Sequence, residues 1–98
     1  MSYEIRIRPE AEYDLKDAYA YFELCRTGLG ADFILCIEES LSKISRNPEQ
    51  YPIIHKALRR TLVRRFPYGI FYKVHRNIVI VFAIMHCARE PKKWISRV

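Results

Sequence analysis

The side chains that could do chemistry in this sequence are mostly cations, and they gather in its second half. Arg59, Arg60, Arg64 and Arg65 form the densest cluster. Arg89, Lys92, Lys93 and Arg97 form another, around the single tryptophan, Trp94. Guanidinium groups bind carboxylates and phosphates in bidentate fashion, so these residues suggest recognition of an anionic partner. Trp and Arg are also the residues most enriched among binding hot spots. Metal chemistry is poorly served. Cys25, Cys36 and Cys87 lack C-x-x-C spacing, and their odd number argues against a disulfide framework. His86 and Cys87 cannot pair on a metal, because neighbouring strand residues point to opposite faces. No metal site and no cofactor are expected. His55 and His75 fall in a loop and beside a turn, which leaves them exposed.

The charge is unevenly spread. Residues 1–50 carry six Lys/Arg against ten Asp/Glu, a net of −4, while residues 51–98 carry eleven against Glu90 alone, a net of +10. Such halves suggest an anionic partner for the second half, either nucleic acid or an acidic protein segment. Basic decoration of a solvated sheet face is the plainer alternative. The 98 residues suffice for one domain, residues 1–98, of ordinary globular composition. The longest apolar run, Ile78 to Met85, is far short of the ~20 residues of a membrane span. The opening Met-Ser-Tyr-Glu-Ile-Arg lacks a signal-peptide pattern. These features predict a soluble cytoplasmic protein that does not engage a membrane.

The elements that must position the cations follow from periodicity. Tyr3 to Arg8 alternates at strand period. Pro9 suits a first helical position, with Glu10 and Glu12 at the positive end of the helix dipole. Ala11, Leu15, Ala18 and Phe22 make one apolar stripe on a helix running to about Cys25. Arg26-Thr27-Gly28 breaks it. A second stripe, at Phe33, Ile37, Leu41 and Ile44, ends at Asn47, since Pro48 disfavours helix in the residue before it. Residues 49–54 read as a connection. Three strands follow, near Leu58–Phe66, Gly69–His75 and Ile78–Cys87, with Arg76-Asn77 as a two-residue turn in which Asn accepts positive φ. Ile78–Met85 is apolar on both faces, which predicts a central strand. The Arg-rich strand from Leu58 is the edge candidate. The order β-α-α-β-β-β is α+β: a helical hairpin packed on a small, twisted, mostly antiparallel sheet.

Two segments carry a specific resemblance. Arg59-Arg60-Thr61-Leu62-Val63-Arg64-Arg65-Phe66-Pro67-Tyr68-Gly69-Ile70-Phe71-Tyr72-Lys73-Val74 is one. His86-Cys87-Ala88-Arg89-Glu90-Pro91-Lys92-Lys93-Trp94, preceded by Ile84-Met85 and closed by Arg97, is the other. Together they resemble the RelE/ParE superfamily of type II toxin–antitoxin toxins, also called plasmid stabilisation proteins. The Phe-Pro-Tyr-x-Ile-x-Tyr block and the His-x-x-Arg-x-Pro-x-x-Trp ending resemble the ParE branch most. The resemblance implies a growth-arresting toxin held inactive by a cognate antitoxin. The antitoxin's acidic, partly disordered C-terminal segment wraps the toxin, and operator DNA is bound only through the antitoxin. The ParE branch poisons DNA gyrase, whereas the RelE branch cleaves messenger RNA on the ribosome without a metal.

The same resemblance distributes roles. A RelE-like nuclease would use Arg60, His86 as a base with its ~6.5 reference pKa, and Arg89. However, Leu62 and Gly69 stand where that branch has basic residues, and Trp94 stands where it has a Tyr, and indole cannot act as an acid. These departures point away from an enzyme and toward a gyrase inhibitor. The nuclease, or a basic module serving only operon autoregulation, remains the alternative. Arg89, Lys92, Lys93, Trp94 and Arg97 are the candidates for toxicity, although Trp94 could instead pin the terminus. Arg59, Arg60, Arg64 and Arg65, with the outward aromatics Tyr13 and Tyr21, are the candidates for antitoxin binding. The far face of the sheet is expected to be left uncovered for that partner. His86 could alternatively fix the C-terminal turn, sharing its strand face with Ile80, Phe82 and Ile84.

Overall fold

The computed structural model describes residues 2–98. Strand β1 (Glu4–Ile7) leads into helices α1 (Pro9–Cys25) and α2 (Leu29–Arg46). A single 3-10 turn at Pro48–Gln50 connects to β2 (Ile53–His55), β3 (Leu58–Leu62), β4 (Tyr68–His75) and β5 (Ile78–His86), and a short helix α3 (Lys92–Ile95) ends the chain. The sheet order is β1-β5-β4-β3-β2, with β1 parallel to β5 and every other pair antiparallel. The α+β arrangement read from the sequence is therefore present, and Ile78–Met85 lies inside the sheet.

Local chemistry explains the helical hairpin. Gly28 turns the chain at φ 90°, and Glu23 of α1 reaches over to accept the N–H groups of Gly28, Gly30 and Ala31 at 3.1, 2.8 and 3.3 Å. A carboxylate on the free amides of a helix start satisfies them and complements the dipole. Gly30 permits this approach, since a Cβ there would lie 2.8 Å from the Tyr19 carbonyl oxygen. At the start of α1, a backbone N–H hydrogen bond, helped by Arg8, holds the Glu10 carboxyl below its ordinary pKa. Phe33, Ile37 and Ile44 of α2 and Ala11 and Ala18 of α1 then close over Ile70, Tyr72, Val79, Val81 and Ile84. The Tyr72 hydroxyl, buried in this core, donates to the carbonyl of Pro48.

The sheet has a second core on its far face, away from α1 and α2. Leu58, Phe71, Phe82, Ala83 and Met85 are buried there beneath Trp94. The Trp94 indole stacks on Phe71 with ring centroids 5.0 Å apart and planes 26° apart. This corrects the expectation that the far face is bare, because the C-terminal segment itself covers it.

Other differences have local causes. β4 and β5 shift register between Phe71 and Tyr72, which pair with Ala83 and Val81 and leave Phe82 as an extra residue. Such a bulge reverses the alternation beyond it. Phe82 and Ala83 both join the far-face core, whereas Ile84 faces the helices. His86 therefore does not share a face with Ile80 and Phe82. The Arg-rich strand stops at Leu62, and Arg65, at φ 73°, belongs to a turn, so neither Arg64 nor Arg65 has a strand face. Ile53–His55, read as connection and loop, forms a strand beside β3, so β1 and β2 are the edges. In the β4–β5 turn the positive φ, 59°, falls on Arg76. Among the described residues no helix is long and apolar enough to cross a membrane.

Candidate functional site

Tyr68 opens β4 and His86 closes β5, and the two are register partners. The bulge turns His86 to the helix side, where its ring lies 5.5 Å from that of Tyr68, edge to face. Tyr68 is held in turn by Phe22 and Phe33, at 5.7 and 5.0 Å. Between this pair and α1 runs an open groove. Asp17, Ala18, Tyr21 and Phe22 line it from the helix, and Pro67, Tyr68, His86 and Arg89 from the hairpin end. Its deeper end reaches Asp14 and Ile84.

The charges in the groove are unequal. Asp14 is engaged, because Arg97 donates to it twice and the Ile84 N–H once. Asp17 and Arg89 make no ion pair among the described residues. Burial pushes the Tyr68 phenol above its ordinary pKa, while the charge of Arg89 pulls the other way. The phenol is therefore neutral near pH 7. The Ala88 N–H donates to Nδ1 of His86 at 2.9 Å, and the Arg89 N–H donates to its carbonyl at 3.0 Å. A neutral imidazole accepting at Nδ1 carries its proton on Nε2. His86 thus organises the turn as an acceptor at Nδ1, with the Nε2 N–H left as its donor.

The residues assigned from sequence are spread over both sides of the sheet. Arg60 pairs with Phe71 and lies across Gly69 on the far face. His86 and Arg89 line the groove on the helix side, so Arg60 does not converge with them. Arg59 turns inward and donates to the carbonyls of Glu49 and Tyr51 at 3.1 and 2.6 Å. Arg64 pairs with Glu39 at 3.0 Å, and its hydrogen bond holds that carboxyl below the ordinary range. Arg65 reaches Asp32 at 3.9 Å. Part of the charge polarity is thus answered within the chain, the acidic helices meeting basic residues of the second half. Tyr13 and Tyr21 are 72% and 60% exposed.

The C-terminal group divides as well. Lys92 and Lys93 are exposed, with Lys92 3.4 Å from Glu90, and Arg89 is exposed at the groove. Trp94 and Arg97 are held within the fold, one in the far-face core and the other clamped to Asp14. Of the tail's cations, Arg97 alone turns inward, onto Asp14. Asp14, Asp17 and the groove role of Tyr68 were missed from sequence. The signal was present for Asp14, which sits on the apolar stripe between Ala11 and Ala18. Among the described residues no three His, Cys, Asp or Glu side chains gather to hold a metal.

The family model of the ParE toxin of the type II toxin–antitoxin system parDE matches residues 5–91. The chain belongs to the ParE toxin family. The fold of a chromosomal ParDE toxin–antitoxin system from P. aeruginosa is similar at TM-score 0.77 and 15% identity, covering 87% of this chain and 96% of that one. The RelBE2 toxin–antitoxin complex from Mycobacterium tuberculosis is similar at TM-score 0.59 and 18% identity, covering 88% and 99%. A comparison with curated proteins gives no match. The ParE family match spans β1 through β5, so it covers both the Tyr68–His86 pair and Arg89.

Proposed function

We propose that this ParE-family chain, acting as one toxin domain, arrests growth by binding and inhibiting DNA gyrase, and that a cognate antitoxin neutralises it. The match of the ParE toxin model over residues 5–91 carries this reading. The separation of Arg60 from His86 by the sheet supports it, because metal-free RNA cleavage needs base, cation and acid around one phosphate. Leu62 and Gly69 add no charge where a nuclease would need it. The cations proposed to act on the target are Arg89, Lys92 and Lys93, all exposed. Trp94 and Arg97 act through them by ordering the tail.

The antitoxin is proposed to bury the apolar side chains left outside, Leu62 and Ile53 beside Arg60 and Tyr13 and Tyr21 on α1, all of them more than half exposed. Its acidic segment would take over Arg64 and Arg65 from Glu39 and Asp32. Exposed pairs of this kind contribute about 0–1 kcal/mol each, so exchange is easy. Operator DNA would be reached through the antitoxin. The test adds purified toxin to a gyrase supercoiling assay and, separately, to ribosomes programmed with messenger RNA. Inhibited supercoiling that antitoxin reverses is the expected result. Codon-specific cleavage with normal supercoiling would overturn the reading in favour of a nuclease, and neither effect would leave only autoregulation.

A further inference from the structure

We infer that the sheet face turned away from α1 and α2 carries a docking surface for the phosphate backbone of duplex DNA, centred on Arg6, Arg8 and Lys73. The contact is independent of base sequence and is made by this chain itself. It goes beyond the proposed function, in which operator DNA is reached through the antitoxin, and it does not depend on which target the toxin acts on.

The three cations lie far apart in sequence, and the sheet brings them together. Ile5 and Ile7 pack into the helix-side core, so alternation puts Arg6 and Arg8 on the far face. Arg6 on β1 and Lys73 on β4 are both register partners of Ile80, one on either side of β5. They therefore flank Ile80 at two strand spacings, about 10 Å apart, and Arg8 stands about 7 Å along β1 from Arg6. The Arg8 guanidinium and the Lys73 ammonium both lie over the Phe82 ring, 5.3 and 5.5 Å from its centroid. Two cations thus share one ring, and Lys73 makes no ion pair among the described residues.

The acids nearby do not close this surface. Arg6 meets Glu4 at 2.6 Å and Arg8 meets Glu10 at 3.5 Å, and both pairs are about half exposed. Exposed pairs contribute little, so a phosphate can replace either carboxylate. Residues 51–98, which supply four of the five strands, contain one acid, Glu90.

The surface fits duplex DNA better than other polyanions. An acidic peptide needs apolar anchors at the centre of its interface, and here the central ring, Phe82, is only 9% exposed beneath its two cations. A single strand stacks its bases on open aromatic rings. The exposed aromatic side chains Tyr13, Tyr19 and Tyr21 all stand on α1, on the other side of the sheet. What the far face offers is separated charges held in strand register, which suits phosphates spaced along a duplex.

The test is fluorescence anisotropy of a short labelled duplex titrated with the full chain at several salt concentrations, with no antitoxin or gyrase present. Log affinity should fall linearly with log salt. Arg6→Gln, Arg8→Gln and Lys73→Gln should each reduce that slope by about one, and the triple variant by about three. Lys16→Gln, which removes an exposed cation from α1, should leave the slope unchanged. The duplex should also shift the amides of Arg6, Ile80 and Lys73 in the isotope-labelled wild-type chain, a readout that needs no variant to fold. A slope indifferent to the three substitutions, or shifts confined to other residues, would overturn the inference. So would a glutamate-rich peptide or a single strand of equal charge that binds these residues more tightly than the duplex does.

Discussion

Arg97 holds Asp14 through two hydrogen bonds, of 2.6 and 3.1 Å, and reaches past it to the Phe82 carbonyl at 3.2 Å. Asp14 also accepts the Ile84 N–H at 3.0 Å. The Phe82 carbonyl and the Ile84 N–H, which lie beyond the last β1–β5 register pair, Ile7 with Val81, are thus satisfied by one ion pair that joins the first helix to the C-terminus. The pair is well shielded, with side-chain exposures of 23% and 12%.

Arg97→Ala should therefore leave a shielded carboxylate with only the Ile84 N–H and the Phe82 carbonyl with no partner, a loss of about 2–4 kcal/mol. Arg97→Lys cannot span both carboxylate oxygens and should recover only part of it. Urea melts of Arg97→Ala, Asp14→Ala and the double variant check this. The double variant should lose less than the sum of the singles, as for any coupled pair. Additive losses would show that the contact carries no coupling.

Trp94→Ala should cost about 3–5 kcal/mol, as for other buried aromatics, because it uncovers Phe71, Leu58 and Met85. Trp94→Phe keeps a ring on Phe71 and should lose much less. Truncation before Lys92 removes both the indole and the Arg97 clamp, so it should melt the protein, and loss of growth arrest in that variant would say nothing about the target. Thermal melting of the three variants decides between a cap on the core and a free tail.

Much of this was legible in the sequence, and the rest was hidden for physical reasons. The stripes Ala11–Phe22 and Phe33–Ile44 marked the hairpin because one buried face imposes a helical period. The run Ile78–Met85 marked an interior strand for the same reason that it hid the bulge. With apolar residues on both faces there is no alternation whose reversal could be seen at Phe82. Strand β2 was masked by Pro52, although an edge strand tolerates a proline just outside its ladder. The groove was the least visible part. Tyr68, Asp17 and Arg89 are far apart in sequence, and only the reversal at Phe82 turns His86 toward the helices.

Alkaline pH should expose the Tyr72 contact. Burial pushes its phenol up to about 12 from an ordinary 10. Between these values the unfolded chain has lost this proton while the folded chain keeps it, so folding stability falls as pH rises. The contribution is complete below pH 10 and gone above about 12. Tyr72→Phe orphans the Pro48 carbonyl and should cost about 1–2 kcal/mol at neutral pH. Its stability should then decline less steeply across that alkaline window. Parallel decline in both proteins would mean that other groups govern it.

Gly30→Ala tests the close approach of the two helices. Its Cβ would meet the Tyr19 carbonyl oxygen at 2.8 Å and the Glu23 side chain at 2.6 Å. The Glu23 methylene can swing away, but only by releasing the amides of Gly28 and Gly30, and the backbone oxygen cannot move without shifting α1. Alanine is the better helix former, so propensity alone predicts a gain of about 1 kcal/mol. Overpacking should outweigh it and give a net loss of about 1–3 kcal/mol in a melt. A stabilised variant would show that the helices separate easily.

The last prediction concerns Arg89, which is exposed, makes no ion pair among the described residues and stands at the lip of the groove. Its backbone N–H bonds the His86 carbonyl whatever its side chain, so Arg89→Ala preserves the turn. Its stability should change by no more than about 0.5 kcal/mol, as for other exposed sites. Growth arrest on induction should nevertheless be abolished, and Lys92→Ala with Lys93→Ala should weaken it by removing two further exposed cations. Antitoxin pull-down should survive in each case, because the surfaces proposed for that partner, at Leu62, Ile53, Tyr13 and Tyr21, keep their apolar side chains. The comparison is sharp because Arg97→Ala also removes one arginine near the C-terminus, but through the clamp. Arg97→Ala should lower toxicity only in step with its melting temperature, whereas Arg89→Ala should lower it with the melting temperature intact. An Arg89→Ala protein that folds, binds antitoxin and still stops growth would place the toxic element elsewhere on the molecule.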